Sequence, residues 1–228
     1  MMDETKENIK AEFIKNRGYW SSFWEDVLEL DETFFSVYSK FSSIPSKNNA
    51  LSPKIREFIY IAIDASTTHL YLPGLKLHME NALALGATRD EIMEVLELTS
   101  VLGIHTCTLG VPILIEELRE LGRGDEIDDI EYGEYEKRLK ETFKKNRGYW
   151  SPFWDDMLKL SPEFFECYLD FSSVPWVSGT LEPKVKEFIY IAIDTATTHL
   201  HKEGARICLL YTSPSPRDQR GSRMPSSA

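Results

Sequence analysis

An all-α fold, duplicated in tandem, is predicted by three observations. The chain repeats itself at an offset of 130: FIKNRGYWSSFWEDVLEL (13–30) returns as FKKNRGYWSPFWDDMLKL (143–160), and EFIYIAIDASTTHL (57–70) as EFIYIAIDTATTHL (187–200). Between 13–75 and 143–205, 36 of 63 positions are identical without a gap. Solenoid repeats have periods of roughly 20–50 residues, so this longer period is a duplicated domain. Within each copy, apolar residues recur at i, i+3, i+4 and i+7, as in IREFIYIAI and EIMEVLELTSVL, which is the spacing of one helix face. Capping residues and glycines punctuate these runs where helices would begin and end.

In chain order, helices are expected near 4–16 and 20–30, then 32–42, where Asp31 can cap FFSVYSKF. Ser52 followed by Pro53 opens a helix at 53–68, with Pro at a position whose missing N–H has no partner to lose. FIYIAI alone is compatible with a buried strand, but its capped start and helical neighbours argue for helix. Further helices are expected at 74–85, 89–102 and 106–121. Thr88 with Glu91 three residues later forms a capping box, and Gly74, Gly86 and Gly103 fall at breaks. The first copy is placed at 1–122, an acidic linker at 123–136 and a second copy at 137–207.

The 228 residues carry a formal net charge of −11, which argues against nucleic acid as partner because phosphate backbones need a basic surface. No apolar run is read as approaching the roughly 20 residues that span a bilayer. The first residues, MMDETKENIKAEFIKN, lack the apolar core of a signal peptide. A cytoplasmic protein with no membrane association is the expectation. Cys107, Cys167 and Cys208 are too widely spaced for a disulfide framework or a zinc knuckle.

Residues 208–228 are a separate matter. Adding the repeat offset to the end of the first copy places the end of a full second copy about 44 residues beyond residue 207. The match instead fades after Gly204-Ala205-Arg206-Ile207, where Cys208 stands opposite His78. CLLYTSPSPRD resembles a translated sequencing-library adapter, since TGTCTCTTATACACATCT encodes Cys-Leu-Leu-Tyr-Thr-Ser, and SRMPSSA resembles the distal adapter. The tail is therefore expected to be a disordered scar, with His expected at 208 in the uninterrupted gene. Helices of the second copy that lost their partners, FIYIAI among them, are expected to expose apolar faces.

LSPKIREFIYIAIDASTTHLYLPGLKLHMENALALGATRDEI resembles the carboxymuconolactone decarboxylase family, which includes the alkylhydroperoxidase D-type proteins. The matching features are LSPK, Glu57 opening an apolar helix, His78 early in the next one, then ALALGATRDEI; GIHTCTLGVPILIEEL resembles the closing helix. The resemblance covers 20–121 and 150–207. It implies an all-helical bundle, assembly as trimers or hexamers, and either decarboxylation or thiol peroxide chemistry on a small molecule. The peroxidase branch carries Cys-x-x-Cys, whose positions are occupied here by Tyr71 and Gly74, and by His201 and Gly204 in the second copy. Thiol peroxide chemistry needs a nucleophile and a resolving partner. Cys107, in HTC, is left as a lone thiol, more ordinary as a packed residue.

What remains is acid–base chemistry on an unsaturated lactone or keto carboxylate, with no metal and no cofactor. Glu57, His78 and His69 are the candidate catalytic residues, and Arg17, Asp64 and Thr68 the candidate substrate-binding ones, with Glu187 and His199 as second-copy counterparts. Glu57 and Asp64 lie seven apart, hence on one helix face, and Thr68 continues it. A carboxylate facing an imidazole tunes it toward neutral pH. Each has a structural alternative. Glu57 is also compatible with an ion pair to Arg56 or Lys54, and Asp64 and Thr68 with a local hydrogen bond. His69, His105 and His199 are compatible with capping. RGYWSSFW suits a core or a subunit interface, although its Arg17 also suits a substrate carboxylate. No pair has the spacing of a metal motif such as HExxH.

Overall fold

The computed structural model describes residues 4–47, 50–202, 204–206 and 208. The residues 209–228 of the expected tail lie outside the described ones. Among the described residues there are helices and no strands. The first copy contains α1 (Glu4–Arg17), α2 (Ser22–Leu30), α3 (Glu32–Ser42), a short α4 (Ile44–Lys47), α5 (Pro53–Ala65), α6 (Leu72–Ala84), α7 (Arg89–Ser100), a 3-10 turn (Val101–Ile104) and α8 (His105–Glu120). After a short α9 (Asp125–Asp128) come α10 (Glu134–Arg147), α11 (Phe153–Leu160), α12 (Pro162–Val177) and α13 (Pro183–Thr195), and residues 202, 204–206 and 208 are also helical.

The capping chemistry explains the starts. Asp31 accepts from the Phe34 amide at 2.8 Å, and Ser52 from the Ile55 amide at 3.4 Å. Thr88 and Glu91 cap each other's backbone at 3.1 and 2.9 Å. Two expectations are corrected. The helix opened by Pro53 ends at Ala65, so Thr68 does not continue the face of Glu57 and Asp64. Gly74 does not interrupt a helix but lies within α6, where a Cβ would sit 2.2 Å from Asp64 Oδ2 and 2.5 Å from the Tyr71 ring.

Among the described residues, three apolar clusters hold the helices together. Phe13, Leu28 and Phe35 centre the first, with Trp20 and Trp24 against them. Their counterparts Phe143, Leu158 and Phe165 centre the second, ringed by Trp150 and Trp154. The RGYWSSFW aromatics are thus largely packing residues. The third cluster is shared: Phe58, Ile61, Val95 and Leu98 of the first copy meet Val185, Ile189, Tyr190 and Ile193 of the second. This corrects the expectation that FIYIAI of the second copy is left bare, because Ile189 and Ile193 are 0% and 1% exposed. Helices α5 and α7 supply the covering surface. Each such side chain contributes about 1.5–3 kcal/mol relative to exposure.

A charged pair is buried at the same seam. Lys186 Nζ lies 2.8 Å from Glu94 Oε1 with both side chains at most 4% exposed, and it donates to the Pro175 carbonyl. The Lys–Oε1 contact lacks hydrogen-bond alignment, so it is an ion pair only. Glu94 Oε2 accepts from the Thr180 and Leu181 amides at 2.5 and 2.9 Å and from the Thr180 hydroxyl at 3.1 Å. Gly179 makes room, since a Cβ there would meet Glu94 Oε1 at 2.1 Å and the Pro175 carbonyl oxygen at 2.2 Å.

From α7 the chain runs on through the 3-10 turn into α8, which crosses to pack on α11 of the second copy. The continuous run Arg89–Glu120 is 32 residues, long and apolar enough to cross a bilayer by length and composition. That corrects the reading that no run approaches such a length. Its α7 half is engaged in the shared core through Val95 and Leu98.

Candidate active site

In both copies the turn after the Glu-bearing helix folds back on itself. Leu70 and Leu200 take left-handed φ values of 49° and 52°, a costly conformation for a branched side chain. The turn lets the Tyr71 amide donate to the Asp64 carbonyl at 2.9 Å and the His201 amide to the Asp194 carbonyl at 2.7 Å. It thereby lays α6 along α5 and brings His78 opposite Glu57.

Glu57 Oε2 and His78 Nδ1 are 2.7 Å apart, and both residues are buried. Asn81 donates to the same Glu57 oxygen at 3.4 Å. The alternative partners are engaged elsewhere: Lys54 pairs with Glu91 at 2.9 Å, and Arg56 donates to the Leu51 carbonyl at 2.8 Å. With Glu57 as the carboxylate it can only accept, so Nδ1 carries the hydrogen and Nε2 is the nitrogen that can exchange a proton. Tyr60 stacks on the His78 ring with centroids 4.6 Å apart, and Tyr19 meets it edge-on at 5.9 Å.

Arg17 completes the wall. It donates to the Tyr19 hydroxyl at 2.8 Å, the Tyr60 hydroxyl at 3.2 Å and the Ser42 carbonyl at 2.9 Å. Burial alone would lower its pKa, but the adjacent Tyr19 and Tyr60 more than offset this, and the guanidinium stays charged. Burial raises the Tyr19 pKa, only partly opposed by Arg17, so the phenol keeps its proton. A cavity of about 330 Å³ opens onto Arg17, Tyr19, Glu57, Tyr60 and Asn81. It can hold a small anion beside a fixed positive charge, with Glu57 of the acid–base pair in its wall and His78 against Glu57.

The other candidate residues divide. Asp64 is buried, and its carboxyl is pushed up by burial, partly opposed by His78 and His69. His69 Nε2 lies 3.5 Å from Asp64 Oδ1 on an exposed turn. Thr68 is exposed and hydrogen-bonds with Ser66 at 3.3 Å. It lines a separate cavity of about 160 Å³ with His105 and His199.

The second copy repeats the wall and changes its centre. Arg147 lies over Trp176 at 4.6 Å and near the Tyr149 and Tyr190 rings at 5.9 and 5.8 Å. Glu187 keeps the place of Glu57, but Cys208 stands where His78 does and hydrogen-bonds to it. Although placed at the start of the expected tail, Cys208 is buried and packs into the shared core. Burial and the neighbouring Glu187 push its thiol far up, so it is no thiolate at neutral pH. A cavity of about 530 Å³ lies here, reaching Arg147, Tyr190, Cys208 and Asp194, and covered by His105 and Thr108 of α8. It is the larger of the two, and the imidazoles in its wall are His105 and His201, with none at the position of His78.

At its edge three side chains converge that the sequence reading did not join. His105 Nδ1 and His199 Nε2 are 2.8 Å apart, and each is 3.6 Å from Asp194 Oδ1. They were missed because His105 and His199 lie 94 residues apart. Tyr60 was missed as well, although its recurrence as Tyr190, three residues after the repeated Glu, was a usable signal.

The scaffold and site together define an all-helical protein with a buried Glu–His pair beside an Arg-lined cavity. The Carboxymuconolactone decarboxylase family profile matches residues 34–103. A solved structure from Burkholderia xenovorans LB400, described as a candidate gamma-carboxymuconolactone decarboxylase subunit, superimposes with a TM-score of 0.86 at 41% identity, over 94% of this chain and 87% of that one. No curated protein matches the chain at comparable significance. The chain belongs to the carboxymuconolactone decarboxylase family.

Proposed function

We propose that this chain is a cytoplasmic, cofactor-free acid–base enzyme acting at Glu57 and His78. It would decarboxylate, or move a proton on, a small lactone or keto carboxylate. The observation that carries the reading is the buried 2.7 Å Glu57–His78 contact beside the Arg17 cavity. Arg17 would hold the substrate carboxylate or the negative charge developing on the lactone. Loss of carbon dioxide leaves an electron pair delocalised into the lactone, and His78 would return a proton to carbon. Glu57 would fix the imidazole and stabilise its cationic form. Asp64 and His69 would support the turn behind them.

The rival reading is peroxide reduction. It is weakened by Tyr71 and Gly74 at the positions of the thiol pair, and Cys107 packs against the second aromatic cluster instead. Lactone or β-keto acid turnover is expected to survive exhaustive thiol alkylation. Loss of that turnover, together with thiol-dependent consumption of peroxide, would favour the rival.

A homo-oligomer is proposed as well. Phe34, Val37 and Phe41 are 59%, 63% and 73% exposed on one face of α3, and Phe164 and Phe171 repeat the pattern on α12 at 49% and 51%. Faces of this kind suit contact with further copies of the chain. Light scattering should return a trimeric or larger mass; a single-chain mass would contradict it.

A further inference from the structure

We propose that His105, Asp194 and His199 form a binding site for one divalent transition-metal ion of the zinc class, joining α8 of the first copy to the second copy. Two nitrogens and one carboxylate oxygen lie within 4.8 Å of one another. In a tetrahedral zinc site, bonds of about 2.0–2.2 Å place neighbouring donor atoms roughly 3.3–3.6 Å apart. Both Asp194–His distances, at 3.6 Å, already meet this requirement. The two imidazole nitrogens at 2.8 Å would need to part by about half an ångström, within reach of side-chain rotation.

A second observation points the same way. Asp194 Oδ1 is buried, with its side chain 1% exposed, and has no hydrogen-bond partner. An unsatisfied buried carboxylate oxygen is costly, and it is aimed at two imidazoles rather than at solvent. A cation between the three groups would satisfy it and would replace the single proton that two facing imidazole nitrogens can share. The backbone holds the ligands in place: the left-handed Leu200 follows His199, and the fold-back bond to the Asp194 carbonyl fixes the carboxylate-bearing helix end. Gly204 leaves room for the other carboxylate oxygen, since a Cβ there would lie 2.2 Å from Asp194 Oδ2. The first copy shows the pair His69–Asp64 at 3.5 Å but, among the described residues, no third ligand.

Three protein ligands leave one coordination position, as in metal sites that take an exchangeable ligand. The 530 Å³ cavity is lined by both His105 and Asp194, and also by Arg147. The chemical class suited to that position is therefore a small carboxylate, exchanging with a bound water. This site is separate from Glu57 and His78, and its test does not depend on turnover.

The chelator-treated full chain should be titrated with Zn²⁺ by calorimetry and with Co²⁺ by visible spectroscopy. The expected result is one ion per chain and tetrahedral cobalt bands without a thiolate charge-transfer band. Asp194→Asn, His105→Gln and His199→Gln should each weaken uptake at least ~10-fold, while His78→Asn should bind as the unmodified chain does. His199→Gln, on the turn rather than in the core, serves if Asp194→Asn does not fold. No uptake, uptake unchanged in these variants, or a thiolate band would overturn the proposal.

Discussion

Lys186→Met should destabilise the fold by about 3–5 kcal/mol, the cost of leaving a buried carboxylate without its counter-charge. The Met side chain has nearly the length of Lys and fits the same slot, so the loss is electrostatic rather than steric. Glu94 keeps its bonds from Thr180 and Leu181 but loses the ammonium beside Oε1, and the Pro175 carbonyl loses its donor. Urea unfolding should show a lower midpoint with an unchanged slope. Adding Glu94→Gln to Lys186→Met should recover much of the loss, because the unpaired charge is then gone. A single-variant shift below about 1 kcal/mol, the scale of an exposed pair, would show that the seam is open to water.

Glu57→Gln and His78→Asn should each lower kcat on a lactone or β-keto acid by on the order of 10²–10⁴. The double variant should fall little further, because both side chains serve one proton transfer. His78→Asn should leave the fold largely intact, as Asn fits the space and Asn81 still reaches Glu57. A Glu57→Gln protein that unfolds instead of losing turnover would assign Glu57 a structural role.

Much of this was legible in the sequence, and the limits have physical causes. Helix starts were readable because capping is local: Asp31, Ser52 and Thr88 each reach only a few residues along the chain. Glu57 and His78 were readable as a pair from their places in the family's motifs. The end of α5 was misplaced because Ser66 leaves the helix for an extended conformation, φ −62° and ψ 141°, and its hydroxyl donates to the Ile63 carbonyl at 2.8 Å. Gly74 was misread as a break, since its need is steric and depends on Asp64 and Tyr71 folding over it. The exposure expected for FIYIAI failed for a different reason. The missing cover was sought within the second copy, whereas the first copy supplies it across the seam through Val95 and Leu98. Contacts spanning 94 residues, such as His105 with His199, leave no local trace at all.

The central claim is that His78, and no thiol, delivers a proton to carbon. The direct test is turnover of a β-keto acid or unsaturated lactone carboxylate in D₂O with the alkylated protein, following deuterium at the former carboxyl-bearing carbon by NMR. The account predicts that the alkylated chain forms the singly deuterated product at the unalkylated rate and that folded His78→Asn forms it at least ~100-fold more slowly. Equal rates of deuterated product from the alkylated chain and from folded His78→Asn would contradict it.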